Sequence, residues 1–108
     1  MFARILEFEL KTGKKEEFVK AFRDEVLPIM KKQVGFLEIL PFFPEDKKQE
    51  KVMTISLWAT RMDAERYEKE TYPRVYELIK MHLSTPVVVK PYIVETRLCE
   101  HFVNALAA

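Results

Sequence analysis

The apolar residues of this sequence repeat at two different spacings, and the change between them limits the fold more than any other feature. In residues 2–10 and 51–59 apolar side chains fall on alternate positions, which is the period of a β-strand. In residues 14–32 they recur at every third or fourth position, which is the period of an amphipathic helix. A chain that carries both periods is expected to form an α+β structure.

The first helix and the second strand follow from neighbouring signals. Lysines end the helical pattern near residue 32, Gly35 follows as a stop signal, and Pro28 predicts a kink because it lacks a backbone donor. Residues 36–43 are almost entirely apolar and predict a second strand, which a charged loop connects to the strand over 51–59.

The second half of the chain adds two helices and a strand. Thr60 followed by Asp63 is typical of a helix start, and Pro73 suits the first turn of a further helix. Residues 87–99 are rich in β-branched side chains and predict a long fourth strand, in which Pro91 indicates an edge position or a bulge. The order strand, helix, strand, strand, helix pair, strand predicts a ferredoxin-like split βαβ sandwich with a four-stranded antiparallel sheet.

The faces of the sheet predict self-association. Helices cover only one face of such a sheet, whereas strands one and three carry apolar residues on both faces. We therefore expect a homodimer in which two sheets pack face to face as a dimeric α+β barrel. With 108 residues there is room for one domain, predicted over residues 1–100, and a short tail over 101–108.

Composition excludes several kinds of partner. The net charge of +1 offers no field for nucleic acid or anionic lipid, and the third strand lacks the basic and aromatic motif of RNA-binding sheets. Cys99 is the single cysteine, and two distant histidines give no metal-ligand spacing. We expect no metal, no membrane segment and a cytoplasmic location.

Three segments resemble the antibiotic biosynthesis monooxygenase-like family. They are residues 55–68 followed by Tyr72 and Pro73, Leu27-Pro28 followed by Gly35-Phe36, and Lys90-Pro91-Tyr92. The resemblance implies the dimeric ferredoxin-like fold and a family that includes oxygenases of aromatic compounds working without a cofactor. Other members degrade haem with a helix histidine, where this sequence carries Tyr76 or Glu77, so haem binding is the less favoured alternative.

Aromatic residues are the candidate substrate contacts. Trp58 closes the third strand and shares a face with the small residues Thr54 and Ser56, which would leave space under the helices. Tyr67, Tyr72 and Tyr76 lie on the predicted helix pair. Trp58 is equally explained as a core aromatic, and for each tyrosine a packed ring with an exposed hydroxyl is the simpler interpretation.

Glu7 and His82 are the candidate catalytic residues. If Glu7 opens into the space beside Trp58, its carboxylate is a candidate general base. His82 lies near a helix end, where it is either a second proton acceptor or a helix-terminal charge. An ion-paired surface residue is the simpler interpretation of Glu7.

Two functions therefore remain open. One is an oxygenase without a cofactor, in which a small aromatic or quinol substrate supplies its own electrons to oxygen. The other is a dimer of the same fold that binds a small apolar ligand without catalysis. A titratable group beside an open cavity would favour the first, and a cavity without one would favour the second.

Overall fold

The computed structural model describes residues 1–99 and contains one four-stranded antiparallel sheet in the order β2-β3-β1-β4. The strands are β1 (Phe2–Glu9), β2 (Phe36–Phe42), β3 (Lys51–Trp58) and β4 (Val88–Ile93). Strands β1 and β3 lie at the centre, as the split βαβ order predicts. The α+β ferredoxin-like fold is confirmed.

The first helical region runs without a break from Lys15 to Lys31 but changes its winding on the way. It consists of α1 (Lys15–Ala21), a π-helical turn (Phe22–Val26) and α2 (Leu27–Lys31). The irregularity predicted at Pro28 takes the form of this π-helical turn, because Pro28 has no N–H to donate to the carbonyl one turn earlier.

The second helical region comprises α3 (Arg61–Glu70), α4 (Tyr72–Ile79) and a 3₁₀ turn (Lys80–His82). The predicted helix start is confirmed, since the Thr60 side chain accepts a hydrogen bond from the backbone N–H of Asp63 at 3.1 Å. Both helical regions cover the same face of the sheet, and the apolar core lies between them and the sheet.

The register of β1 and β3 shows which residues lie on each face of the sheet. Phe2 pairs with Trp58 and Phe8 pairs with Val52, and all four side chains are buried beneath the helices. Alternate positions point the other way, so Ile5 pairs with Ile55 on the opposite, uncovered face.

The uncovered face is predominantly apolar. Its residues on the inner strands include Ile5, Met53, Ile55 and Leu57, and its residues on the edge strands include Leu40, Phe42, Val88 and Tyr92. Leu40, Phe42, Val88 and Tyr92 are exposed. This is the face on which the homodimer is predicted, and the dimer stays a prediction.

The fourth strand is shorter than predicted. It ends at Ile93, where a 3₁₀ turn over Thr96–Leu98 soon follows, whereas the sequence pattern predicts a strand to residue 99. The physical reason is that β4 pairs only with β1, and Ile93 lies opposite Phe2 at the end of that partner. Pro91 lies on an edge strand, as predicted. The predicted tail, 101–108, lies outside the described residues.

Candidate functional site

Trp58 is a packed aromatic at the end of β3. Its side chain is fully buried, it stacks on Tyr67 with 4.9 Å between ring centroids, and it meets Phe36 edge-on at 5.6 Å. The indole N–H donates to Ser56 Oγ at 3.0 Å, so its polar atom is already satisfied. The prediction that Trp58 faces the helices together with Thr54 and Ser56 is confirmed. In this arrangement Trp58 supports Tyr67 from behind.

Glu7 lies on the wrong face to share a space with Trp58. It pairs with Met53 in the β1–β3 register, which directs its side chain to the uncovered face of the sheet. There its carboxylate lies 3.1 Å from Lys90 Nζ. The predicted placement of Glu7 beside Trp58 is therefore wrong, because strand alternation places Arg4 and Leu6, and not Glu7, beneath the helices.

His82 lies at the other end of the molecule from Trp58. Its carbonyl accepts from the backbone of Lys11 just beyond the end of β1, whereas Trp58 pairs with Phe2 at the beginning of that strand. The imidazole is buried edge-on against Phe18, and its Nδ1 lies 3.9 Å from a carboxylate oxygen of Glu17. The length of β1 separates the two predicted site residues.

The three helix tyrosines do come together. Tyr67 and Tyr72 have ring centroids 6.2 Å apart, and Tyr72 and Tyr76 have centroids 6.3 Å apart. They form a row that continues from Trp58 across the start of α4. Tyr67 is buried and the other two are half-buried.

The sequence analysis missed Arg4, which lies under this row of tyrosines. Its residue is only 2% exposed, and its guanidinium carbon lies 5.1 Å from the ring centroid of Tyr67 and 5.0 Å from that of Tyr72. Within the part of the chain that the structure describes, Arg4 Nε and Nη2 have no hydrogen-bond partner. Its nearest carboxylate is that of Glu68, at 3.8 Å from Nη2 on the largely exposed side of α3.

A small cavity adjoins this guanidinium. It has a volume of about 20 Å³, which is room for one water-sized group. Its walls combine polar side chains of the central strands with tyrosines and with apolar residues of both helical regions: Arg4, Leu6, Phe8, Phe22, Val26, Met30, Ile39, Thr54, Ser56, Tyr67, Tyr72, Val75 and Ile79.

The phenol groups of the cavity are held in their neutral form. Burial raises the pKa of Tyr67 well above its ordinary value, and the nearby positive charge of Arg4 only partly opposes this effect. Burial likewise raises the pKa of Tyr72. The Tyr72 hydroxyl is buried and has no hydrogen-bond partner among residues 1–99. The cavity therefore presents a cation and neutral hydroxyl groups.

A larger apolar groove lies next to the cavity, between the first helical region and β2. Its volume of about 650 Å³ is within the usual range for small-molecule sites. The residues that line it are Phe18, Val19, Phe22, Arg23, Leu27, Lys31, Phe36, Leu37, Glu38, Ile39, Pro41 and Phe43. Phe22, from the π-helical turn, and Ile39 line both spaces, so these two side chains form the boundary between the groove and the cavity.

Residues 1–99 contain neither a metal-binding cluster nor a membrane-spanning helix. No group of three or more His, Cys, Asp or Glu side chains in that range is arranged to hold a metal ion. None of the helices there combines the length and the apolar run that crossing a bilayer requires. The polar side chains that line the small cavity are Arg4, Thr54, Ser56, Tyr67 and Tyr72.

Comparison with known protein families shows to which family this chain belongs. The sequence model described as antibiotic biosynthesis monooxygenase matches residues 1–76, which include β1 to β3, α3 and most of α4. The chain belongs to the antibiotic biosynthesis monooxygenase family. The resemblance that the sequence segments indicated is confirmed.

Solved structures agree on the fold of this family member. SnoaB, a cofactor-independent oxygenase from Streptomyces nogalater, has a TM-score of 0.75 at 15% identity, covering 92% of this chain and 97% of its own. A candidate antibiotic biosynthesis monooxygenase from Nitrosomonas europaea has a TM-score of 0.71 at 19% identity, covering 87% and 89%. Rv0793 from Mycobacterium tuberculosis has a TM-score of 0.67 at 13% identity, covering 86% and 93%. A search of curated proteins found no match to this family member.

Proposed function

We propose that this member of the antibiotic biosynthesis monooxygenase family oxygenates a small phenol or quinol without a metal or organic cofactor. The observation that carries the proposal is the donor-rich cavity beside Arg4, Tyr67 and Tyr72, which adjoins an apolar groove of about 650 Å³. The structural likeness to SnoaB, a cofactor-independent oxygenase, supports the reaction class.

In this proposal the apolar groove and the small cavity bind different parts of the substrate. The aromatic ring occupies the groove against Phe22 and Phe36, and its oxygen substituent passes between Phe22 and Ile39 into the small cavity. Tyr72, whose hydroxyl lacks a partner among the described residues, donates to that oxygen. Trp58 and Tyr67 keep the tyrosine row in place through their stacking contact.

The reaction balances with oxygen as the only co-reactant. Loss of the phenolic proton gives a phenolate, whose electron density reaches a ring carbon bearing hydrogen and reduces O₂ there to form a carbon–oxygen bond. The resulting hydroperoxide loses the hydrogen on that carbon as a proton, and its O–O bond breaks. One oxygen stays on the ring as a quinone carbonyl and the other leaves, after protonation, as water. All four electrons that O₂ gains come from the substrate: two from the phenolate when the carbon–oxygen bond forms, and two from the C–H bond when its proton leaves and the O–O bond breaks.

The proton acceptor in this proposal is Glu68. Neither Glu7 nor His82 borders the cavity, because one lies on the other face of the sheet and the other lies at its far end. Glu68 does not line the cavity either, but it lies 3.8 Å from Nη2 of Arg4, which does line it. Its side chain is 48% exposed, so a proton taken up there exchanges with solvent.

Oxygen uptake in the presence of simple naphthols and naphthohydroquinones tests the function, with uptake without protein subtracted. Glu68→Gln should lower the catalysed rate by about 10²-fold or more, as for loss of a general base. Glu65→Gln is the matched control, since Glu65 is exposed on the same helix and pairs with Arg61. Tyr72→Phe should weaken substrate binding by about fivefold for one lost hydrogen bond, and Tyr92→Phe on the uncovered face should not. Equal rates in Glu68→Gln and Glu65→Gln would exclude Glu68 as the base.

Binding without catalysis is the second candidate function. The observation that favours it is that both titratable residues singled out from the sequence lie away from the cavity. In that case aromatic ligands would bind and respond to Tyr72→Phe, while no phenol or quinol would give oxygen uptake above the background.

A further inference from the structure

We infer that Arg4 makes this site selective for ligands that carry an anionic oxygen on an aromatic ring, either an ionised phenol or a carboxylate. The inference rests on the proposed function, because it concerns the same groove and cavity. Arg4 is the one strongly polar group whose charge is fully enclosed there, at 2% exposure within the described chain.

The charge of Arg4 is incompletely compensated. A guanidinium stays protonated in proteins, and enclosing it away from water is costly unless an opposite charge and hydrogen-bond acceptors replace the water. Glu68 lies at 3.8 Å, beyond hydrogen-bond distance, and is itself half in solvent. The rings of Tyr67 and Tyr72 offer a partial negative surface at about 5 Å, but they accept no hydrogen bond from Nε or Nη2.

Among the hydroxyl groups that line the cavity, that of Tyr72 is the one suited to an anion. Ser56 Oγ already accepts from Trp58 and lies 3.5 Å from the Arg4 carbonyl, to which it donates. The Tyr72 hydroxyl is neutral and has its proton available. A ligand oxygen in this space would therefore meet donors from Arg4 and Tyr72, and a negatively charged oxygen gains most from such donors.

The shapes of the two spaces agree with this assignment. A volume of about 20 Å³ accommodates one oxygen and excludes a ring, which leaves the ring in the groove. The charged residues of the groove are close to balanced, because Arg23 pairs with Asp24 at 2.9 Å and Lys31 is matched by Glu38, so Arg4 is the source of the expected charge preference.

The test measures binding by calorimetry under nitrogen, so that turnover plays no part. The probes are 1-naphthoate and 1-naphthamide, which have nearly the same shape and differ in charge. We expect the wild-type protein to bind naphthoate about tenfold or more tightly than naphthamide, as for a hydrogen bond to a charged group. Arg4→Met should reduce this ratio to about two or less, while Arg61→Met, which removes an exposed arginine of α3, should leave it unchanged.

Binding of a chromophoric phenol distinguishes a site for ionised phenols from a site for carboxylates. If a phenolate is accepted, binding to the wild-type protein should lower the pKa of 4-nitrophenol by about one to three, and Arg4→Met should abolish the shift. A preference for naphthoate without a shift in 4-nitrophenol would assign the site to carboxylates, which still supports the inference.

The outcomes keep this inference separate from the oxygenase proposal. Charge-selective binding through Arg4 without any oxygen uptake would support the anion site and refute the oxygenase. Oxygen uptake that is the same in wild type and Arg4→Met would refute the anion site and support the oxygenase. Should Arg4→Met fail to fold, the wild-type preference for naphthoate over naphthamide decides, and equal affinity or no binding of either probe would overturn the inference.

Discussion

Gly13 and Gly35 both have positive φ, 76° and 81°, but only Gly35 is crowded. An added Cβ at Gly13 would meet nothing within 4 Å, whereas at Gly35 it would overlap Asp63, its Cβ as well as its carboxylate. Asp63 in turn accepts from the Thr60 hydroxyl at 2.8 Å and from Arg66 at 3.2 Å, at the start of the helix that carries Tyr67 and Glu68. Gly35→Ala should therefore disturb the helix start as well as the turn.

The two substitutions differ at least by the interactions of Asp63, because relief of the overlap at Gly35 displaces that residue. Placing alanine at positive φ costs about 1–2 kcal/mol at either position, and the reduced freedom of the unfolded chain offsets part of this equally in both. At Gly35 the displaced Asp63 also loses its contact with Thr60, for about 1 kcal/mol, and its ion pair with Arg66, for about 0.3 kcal/mol. We expect Gly35→Ala to be less stable than Gly13→Ala by about 1–2 kcal/mol.

Urea denaturation followed by Trp58 fluorescence gives the required free energies of unfolding, provided that the m-values agree. The reasoning also predicts coupling, because Asp63→Ala should cost about 1 kcal/mol less in the Gly35→Ala background than in the wild type. Equal destabilisation by Gly35→Ala and Gly13→Ala, or additive effects with Asp63→Ala, would show that the Asp63 contact contributes nothing.

Three further predictions concern pH, assembly and haem. Because burial raises the folded-state pKa of Tyr67 above its unfolded value of about 10, its contribution to stability is present below about pH 10 and is lost at higher pH. Between about pH 9 and about pH 11, the free energy of unfolding should therefore fall less steeply in Tyr67→Phe than in the wild type. Sedimentation should give twice the mass of one chain for the wild type. Ile55→Glu, at the centre of the uncovered face, should give a monomer. A monomeric wild-type protein would refute the predicted barrel-like dimer. Haem should give no sharp Soret shift, since the family resemblance places Tyr76 or Glu77 at the position of the helix histidine of haem-degrading members. A histidine-ligated spectrum lost in His82→Ala would contradict this.

The fold was predictable because its main signals are local. Alternation in β1 and β3, the Thr60 helix start and the irregularity near Pro28 each depend on a few neighbouring residues. The end of β4 depends on its partner, since the strand stops where β1 provides no further residues. That limit cannot be read from the β-branched composition of residues 87–99.

The site was harder to predict because it depends on which face of each strand looks towards the helices. Small residues on β3 correctly indicated the face of Trp58, but the large apolar residues of β1 were not used in the same way. Phe2, Leu6 and Phe8 share the buried face, and alternation places Arg4 between them. An arginine at an alternate position of an apolar strand face was thus the available signal, and it identifies the residue that the tyrosines surround.

The energetics of Arg4 connect the fold to the function. Leaving two buried donors without acceptors costs about 1–3 kcal/mol each, while two cation–π contacts and a half-exposed ion pair return about 1–4 kcal/mol together. The fold therefore gains little from the charge, and a methionine of similar length would fill the same space without that cost. If Arg4 were a structural residue, Arg4→Met would lower stability and affinity together. If it is a ligand-binding residue, the variant should keep its stability or gain about 1–2 kcal/mol, and it should lose the preference for an anionic ligand.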